Sequence, residues 1–316
     1  MTESTSTFNL QTSPFLLCPG QGAQHVGMGK AWYDASPAAR VTIDKANDVL
    51  GYDLKTLMFE GPEAELNRTD NAQPAIYVAS VACYRALVEK GELKDSEMRA
   101  AAGLSLGEFT ALHLAGAYSF EDGLKLVRLR GQAMQDAANA GPSTMVALTG
   151  DVSEDKVNAV CDKARGDGVL VPANFNSPMQ VVVSGSIESC GRVPEIASEL
   201  GLKATPLTVA GAFHSPIMQP AADRLDAALG QVAWQPLRTL VVANVTAQPH
   251  AGADVASIRE LLVQQLTSPV RWSQSMQWAA ANCPGRFVEL APGKVLSGLM
   301  KRIDRGVKVD NYADPQ

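Results

Sequence analysis

The sequence predicts an α/β fold in which a large domain is interrupted by a smaller one, and three observations carry that expectation. Short buried apolar runs alternate with amphipathic stretches at both ends of the chain, the pattern of strands and helices that share a parallel sheet. Between them the order strand, helix, strand, strand, helix, strand matches the split βαββαβ unit of a ferredoxin-like subdomain. Strand and helix alternation then resumes after His214, so the smaller unit is an insertion.

In chain order, residues 15–18 read as a short buried strand that ends at Pro19 and a glycine-rich loop, Gly20-Gln21-Gly22-Ala23-Gln24. Residues 74–90 read as a helix with Pro74 at its start and Gly91 at its stop, carrying Ile76, Ala79, Cys83 and Leu87. Residues 98–102 lead as a strand into Gly103, although consecutive alanines are poor strand formers. Residues 107–117 are helical. Ser119 with Asp122 caps the next helix, which bears Leu124, Val127, Arg130 and Met134 at helical spacing and ends near Gly141-Pro142.

The inserted unit follows as strand 144–148, helix 153–164, strands 169–175 and 180–184, helix 187–200 and strand 203–209, with a hairpin at Asn176-Ser177-Pro178. Strand 239–245, helix 258–266, strand 286–290 and a helix from Val295 complete the large domain. The expected domains are a flexible tail over 1–14, the large domain over 15–140 and 210–316, and the small subdomain over 141–209.

Composition narrows the function. With 46% hydrophobic and 19% charged residues the chain is globular, and it contains no apolar run near the roughly 20 residues of a membrane span. The apolar patch after the polar tail is too short for a signal-peptide core, so a cytoplasmic protein is expected. A net charge of -6 argues against a sequence-independent grip on nucleic acid. Five scattered cysteines without CxxC spacing favour buried thiols over disulfides or zinc, and no metal site is expected. Lys294, Lys301, Arg302, Arg305 and Lys308 form a basic stretch that reads either as a solvated helix face or as a contact for an acidic partner or phosphates.

The chemistry starts at Gly103-Leu104-Ser105-Leu106-Gly107, a G-x-S-x-G elbow in which a tight strand-to-helix turn lifts the serine above the sheet. A side chain at either glycine would collide across that turn. The plain alternative is a serine N-cap between two glycines. A serine hydroxyl needs a base, and only His25, His113, His214 and His250 exist. His214 lies where the small subdomain returns to the large one. The other three fall in loops or on a helix surface, where solvation is expected. His214 is therefore the candidate base by elimination. More than a hundred residues follow it, unlike the Ser, Asp, His order of ordinary hydrolases, so a Ser-His dyad oriented by a backbone carbonyl is expected. The N–H groups of Leu106 and Gln21 are candidate oxyanion donors. Arg130 on an apolar stripe must meet an anion: an internal ion pair is one reading, a substrate carboxylate held by its planar fork the other. Arg128 points elsewhere and is expected in solvent.

Taken together, Gly20-Gln21-Gly22-Ala23-Gln24, Gln73-Pro74, Gly103-Leu104-Ser105-Leu106-Gly107-Glu108, Arg130-Gly131, Asn174-Phe175-Asn176-Ser177-Pro178, Gly211-Ala212-Phe213-His214-Ser215 and Pro292-Gly293-Lys294-Val295-Leu296 resemble the malonyl-CoA:acyl-carrier-protein transacylase family, in family order over nearly the whole chain. The resemblance implies a hydrolase-like large domain and a ping-pong reaction without a cofactor. In it malonyl-CoA acylates Ser105, and the phosphopantetheine thiol of acyl carrier protein takes the group. It implies Ser105 as nucleophile, His214 as base, Arg130 as carboxylate clamp, and Gln73 and Asn176 as pocket-lining positions. Phe213 is similar to malonyl-selective members and should crowd a 2-methyl substituent. A monomer is expected. Leu104 stands where the family elbow usually has His, and Arg271 where some relatives have Gln; a carbonyl near 269–272 is one candidate for holding His214. The rivals are an acyltransferase for another acyl group, as in polyketide assembly, a serine thioesterase, and a non-catalytic carrier-binding subunit.

Overall fold

The computed structural model describes residues 13–316. Its centre is the apolar run Phe15–Cys18, β1, buried along its whole length. That burial follows from the neighbours. β1 pairs in parallel with β2 (Ala100–Gly103) on one side and β8 (Phe287–Leu290) on the other, and β7 (Leu240–Val242) and β9 (Val309–Tyr312) close the order β7-β2-β1-β8-β9. A parallel sheet is covered on both faces, so its strands need no polar alternation. Leu16, Cys18 and Ala101 join the core on one face, whereas Phe15, Leu17, Ala100 and Ala102 pack with Trp272 and Met276 on the other. The alanines of β2 form a strand against their propensity because every one of them is buried.

Ser13 and Pro14 are already buried, and the Pro14 carbonyl accepts from the Arg99 N–H at 3.0 Å, so these two positions do not belong to the flexible tail expected over 1–14. The rest of that tail lies outside the described residues.

The inserted sheet contains β3 (Ser143–Thr149), β4 (Leu170–Ser177), β5 (Gln180–Ser186) and β6 (Lys203–Pro206) in the order β4-β5-β3-β6, antiparallel throughout. Its period-two pattern divides two cores. Val146, Leu148, Val181 and Val183 face the helices Glu154–Arg165 and Ile187–Glu199, whereas Met145, Ala147, Ala173 and Val182 join the core of the large body. The hairpin tip falls at Pro178-Met179, one residue beyond the predicted one. β6 stops at Pro206, short of the predicted 209, and the chain from Leu207 onward lines a cavity instead. β4 also touches the large body, through Phe175 N–H to Val270 O at 2.9 Å and Val270 N–H to Ala173 O at 2.8 Å.

The helix expected from Pro74 opens upstream, as Thr69–Glu89, with Pro74 inside it. Proline removes the N–H that would bond the Asp70 carbonyl. The Arg128 guanidinium takes that carbonyl and lies 3.4 Å from the Asp70 carboxylate. Arg128 is thus a structural tie across two helices, contrary to the solvated position expected for it. The helices Leu54–Glu60, Glu63–Leu66, Gln219–Leu229 and Trp272–Asn282, and strand β9, have no counterpart in the sequence reading. All five cysteines are buried free thiols. Among the described residues no helix is long and apolar enough to cross a membrane, and no three His, Cys, Asp or Glu residues converge on a metal position.

Candidate active site

Ser105 joins β2 to the helix Leu106–Leu114 with φ of 52° and ψ of -101°. Such positive φ is uncommon outside glycine and marks a turn held by its surroundings. The flanking glycines make it possible. A Cβ on Gly103 would lie 1.8 Å from the Gly107 carbonyl carbon, and one on Gly107 would lie 2.0 Å from the Cys18 carbonyl oxygen. Gly107→Ala therefore drives a methyl into backbone that cannot rotate away. The expected loss is about 3 kcal/mol, the upper part of the range for overpacking, read from the midpoint of urea unfolding. A wild-type midpoint would mean that the elbow tolerates a wider turn.

The turn presents Ser105 Oγ to His214 Nε2 at 2.9 Å. His214 Nδ1 lies 2.7 Å from the Gln265 carbonyl oxygen. A carbonyl only accepts, so the Nδ1 proton is fixed there and Nε2 is left to receive the serine proton. The expected carbonyl-held dyad is present in geometry, but the carbonyl belongs to Gln265 and not to 269–272, where Val270 is engaged with β4.

Arg130 is 1% exposed and reaches the same oxygen: Nη2 donates to Ser105 Oγ at 3.0 Å and to Gln265 Oε1 at 2.8 Å, and Nη1 donates to Gln73 Oε1 at 2.8 Å. No carboxylate pairs with it directly among the described residues, so the internal ion-pair reading fails. Its neighbours are amides and a hydroxyl, which solvate the cation without neutralising it. Burial pushes the guanidinium down to about 9, opposed by the charge of Glu108. Burial, and then the Arg130 charge, push His214 down to about 4, opposed by the bond to Gln265 O. At neutral pH the site thus holds a neutral imidazole beside a cationic guanidinium.

Ser105 and His214 open onto a cavity of about 660 Å³ beside the inserted sheet, whose wall includes Phe213, Asn176 and Gln21; Arg130 is not part of that wall and adjoins it through its bond to Ser105 Oγ. Leu104 lines the cavity as well. Asn176 donates to Gln180 Oε1 at 3.3 Å. Leu106 is fully buried at the first position of its helix, where N–H groups lack intrahelical acceptors. Gly20, whose Cβ would lie 2.2 Å from the Leu104 carbonyl oxygen, brings the loop of Gln21 against the elbow. Gln73 differs from expectation: it is wholly buried behind Arg130 and does not line the cavity.

Sequence reasoning missed the layer beneath. Asn244 Oδ1 accepts from the Ser105 N–H at 2.7 Å, and its Nδ2 donates to Gly103 O at 2.8 Å. His250 is 4% exposed and bonded to Glu108 at 2.7 Å, not solvated. His113 lies among Tyr77, Tyr118 and Phe120, and burial holds it down to about 4. Of the three rejected histidines only His25 is exposed. Arg271 sits over the Phe175 ring at 5.4 Å and reaches Glu154 at 3.5 Å, linking the large body to the inserted one. The five basic C-terminal residues are exposed.

Residues 15–313 match the model of the acyl transferase domain family. The chain is 41% identical over 302 residues to the malonyl CoA-acyl carrier protein transacylase of Bacillus subtilis, covering 95% of this chain and 93% of that one. Its fold is similar to the acyl-carrier-protein S-malonyltransferase of Bartonella henselae, with a TM-score of 0.91, 37% identity and 95% of both chains covered. It is also similar, at a TM-score of 0.90 and 37% identity over 96% of this chain and 97% of the other, to a malonyl-transacylase solved in complex with a type II PKS acyl-carrier protein. The parallel core, the inserted antiparallel sheet and the elbow between them thus have a common origin: the chain belongs to the malonyl-CoA:acyl-carrier-protein transacylase family of acyl transferases.

Proposed function

We propose that this chain moves a malonyl group from malonyl-CoA to the phosphopantetheine thiol of an acyl carrier protein through an ester on Ser105. One observation carries the choice of acyl group: a buried guanidinium, without a carboxylate partner among the described residues, touches the same oxygen as the base. In malonyl thioesters the carboxylate is one methylene away from the carbonyl under attack. A cation adjoining the nucleophile is therefore placed to meet it, the Nη2–H that donates to Ser105 Oγ being exchanged for the carboxylate. An uncharged acyl group would leave Arg130 desolvated and without a counter-charge.

In the first half-reaction Ser105 Oγ forms a bond to the thioester carbonyl as its proton passes to His214 Nε2. The oxyanion is received by the N–H groups of Leu106 and Gln21. Collapse breaks the C–S bond, and the imidazolium returns its proton to the departing CoA sulfur. The second half runs the same steps with the carrier thiol as nucleophile and Ser105 as leaving group. Both halves balance without a cofactor. Similarity to a transacylase solved with an acyl-carrier protein supports the choice of acceptor. Phe213 on the wall beside His214 supports a preference for malonyl over its 2-methyl analogue, worth about 1 to 3 kcal/mol for one methyl.

The test is intact mass after brief exposure to malonyl-CoA, followed by addition of carrier protein. A malonyl adduct on Ser105 that is discharged to the carrier thiol is expected; an adduct lost only to water would make the chain a hydrolase. For Arg130→Ala, kcat/KM with malonyl-CoA should fall roughly 10²- to 10³-fold, as for loss of a buried hydrogen-bonded charge, with a smaller fall for acetyl-CoA. Equal losses for the two substrates would contradict the clamp.

A further inference from the structure

Beneath the dyad lies a fully buried carboxylate that the reaction steps do not use. Glu108 is 1% exposed and His250 4%. Glu108 Oε1 accepts from His250 Nε2 at 2.7 Å, and Oε2 accepts from Gln265 Nε2 at 2.7 Å and from the Asn244 N–H at 3.1 Å. The same Gln265 Nε2 faces the Ser105 carbonyl at 3.1 Å and Asn244 Oδ1 at 3.2 Å. Each of these is an acceptor. The Gln265 amide therefore has a single workable orientation, with Nε2 on Glu108 and Oε1 turned toward Arg130. Gln265 then acts in two directions, through its side-chain oxygen on Arg130 Nη2 and through its backbone oxygen on His214 Nδ1.

We infer that Glu108, locked in place by His250, is the positioning residue that aims both the base and the clamp at Ser105 by holding the Gln265 side-chain amide. It touches neither the substrate nor the reacting atoms. His250 Nδ1 is buried without a partner among the described residues, which places the ring proton on Nε2, since an orphaned lone pair is the smaller loss. The lock is thus a directed chain of donors: His250 Nε2–H to Glu108, Gln265 Nε2–H to Glu108, Arg130 Nη2–H to Gln265, and His214 Nδ1–H to Gln265. Because one amide serves both partners, a flip would turn N–H groups toward Arg130 and leave Glu108 facing a carbonyl oxygen. Asn244 extends the same hold to the elbow, through the Ser105 N–H.

The inference rests on the roles proposed for Ser105, His214 and Arg130, and its test separates the two. A fluorophosphonate reagent bonds its phosphorus to Ser105 Oγ and releases fluoride, so its rate reads the dyad without malonyl-CoA. For Glu108→Ala, labelling and single-turnover acylation should both fall roughly 10- to 100-fold per folded protein, the scale of small misplacements of reacting groups, with KM for malonyl-CoA changing less than kcat. Glu108→Gln should recover most of the loss. Its oxygen can hold Gln265 while its amide donates to the other tautomer of His250. In a Gln265→Met background Glu108→Ala should add little, because the two act through one amide. Wild-type labelling by folded Glu108→Ala overturns the inference, as does full additivity with Gln265→Met, or a folded Glu108→Gln no better than Ala. A wild-type protein that labels but takes no malonyl would overturn the proposed function and leave this inference standing.

Discussion

Ser105→Ala is expected to show no mass increase with malonyl-CoA and a turnover reduced by roughly 10⁴-fold or more, the scale on which loss of a nucleophile is felt. The variant should fold. Alanine meets the same backbone demand at φ of 52°, and the N–H that Asn244 accepts from is unchanged. What disappears is the one oxygen that Arg130 Nη2 and His214 Nε2 share, and both groups keep their bonds to Gln265. A thermal midpoint near that of the wild type would therefore accompany the loss, separating chemistry from folding. A malonyl adduct persisting on the folded variant would remove Ser105 from the role and send the search to another nucleophile.

The serine was legible because its chemistry has a local signature. G-x-S-x-G needs its two glycines for packing reasons that operate within five residues and against the end of β1. Arg130 was legible as a misfit, a charged residue on an apolar helical stripe. The layer below was not. Asn244, His250 and Gln265 reach the elbow from segments far along the chain, and nothing near them in sequence tells which carbonyl or carboxylate they will meet. The Gln-Pro-His-Ala-Gly surroundings of His250 are loop chemistry, and loops are usually wet. Glu108 from the elbow helix overrides that expectation. Arg128 shows the same limit: helical spacing places it off the Arg130 face, but the acceptor it finds exists only because Pro74 leaves the Asp70 carbonyl without its N–H. For β2, residue preference argued against a strand, and burial between two cores decided it.

For His214→Ala the expected fall in the acylation rate is roughly 10²- to 10⁴-fold, the usual contribution of a positioned base, measured in a single turnover so that product release does not mask it. The pH profile identifies the residue more sharply. Burial and the Arg130 cation disfavour the imidazolium and hold His214 down to about 4, so the base form persists well below the ordinary histidine range. The acid limb of kcat/KM should accordingly descend as pH falls through about 4, and His214→Ala should lack it. Arg130→Ala removes a positive charge from beside the ring, which makes protonation easier; the limb must then move to higher pH. The same sign governs stability. A histidine with a depressed folded pKa contributes stability above its unfolded pKa and loses it as pH falls through the folded value. Acid unfolding should thus weaken in His214→Ala, while catalysis is already lost at neutral pH. An acid limb that stays put when Arg130 is removed would mean that a different group takes the serine proton, because no base bonded to the same oxygen as that guanidinium can be indifferent to its charge.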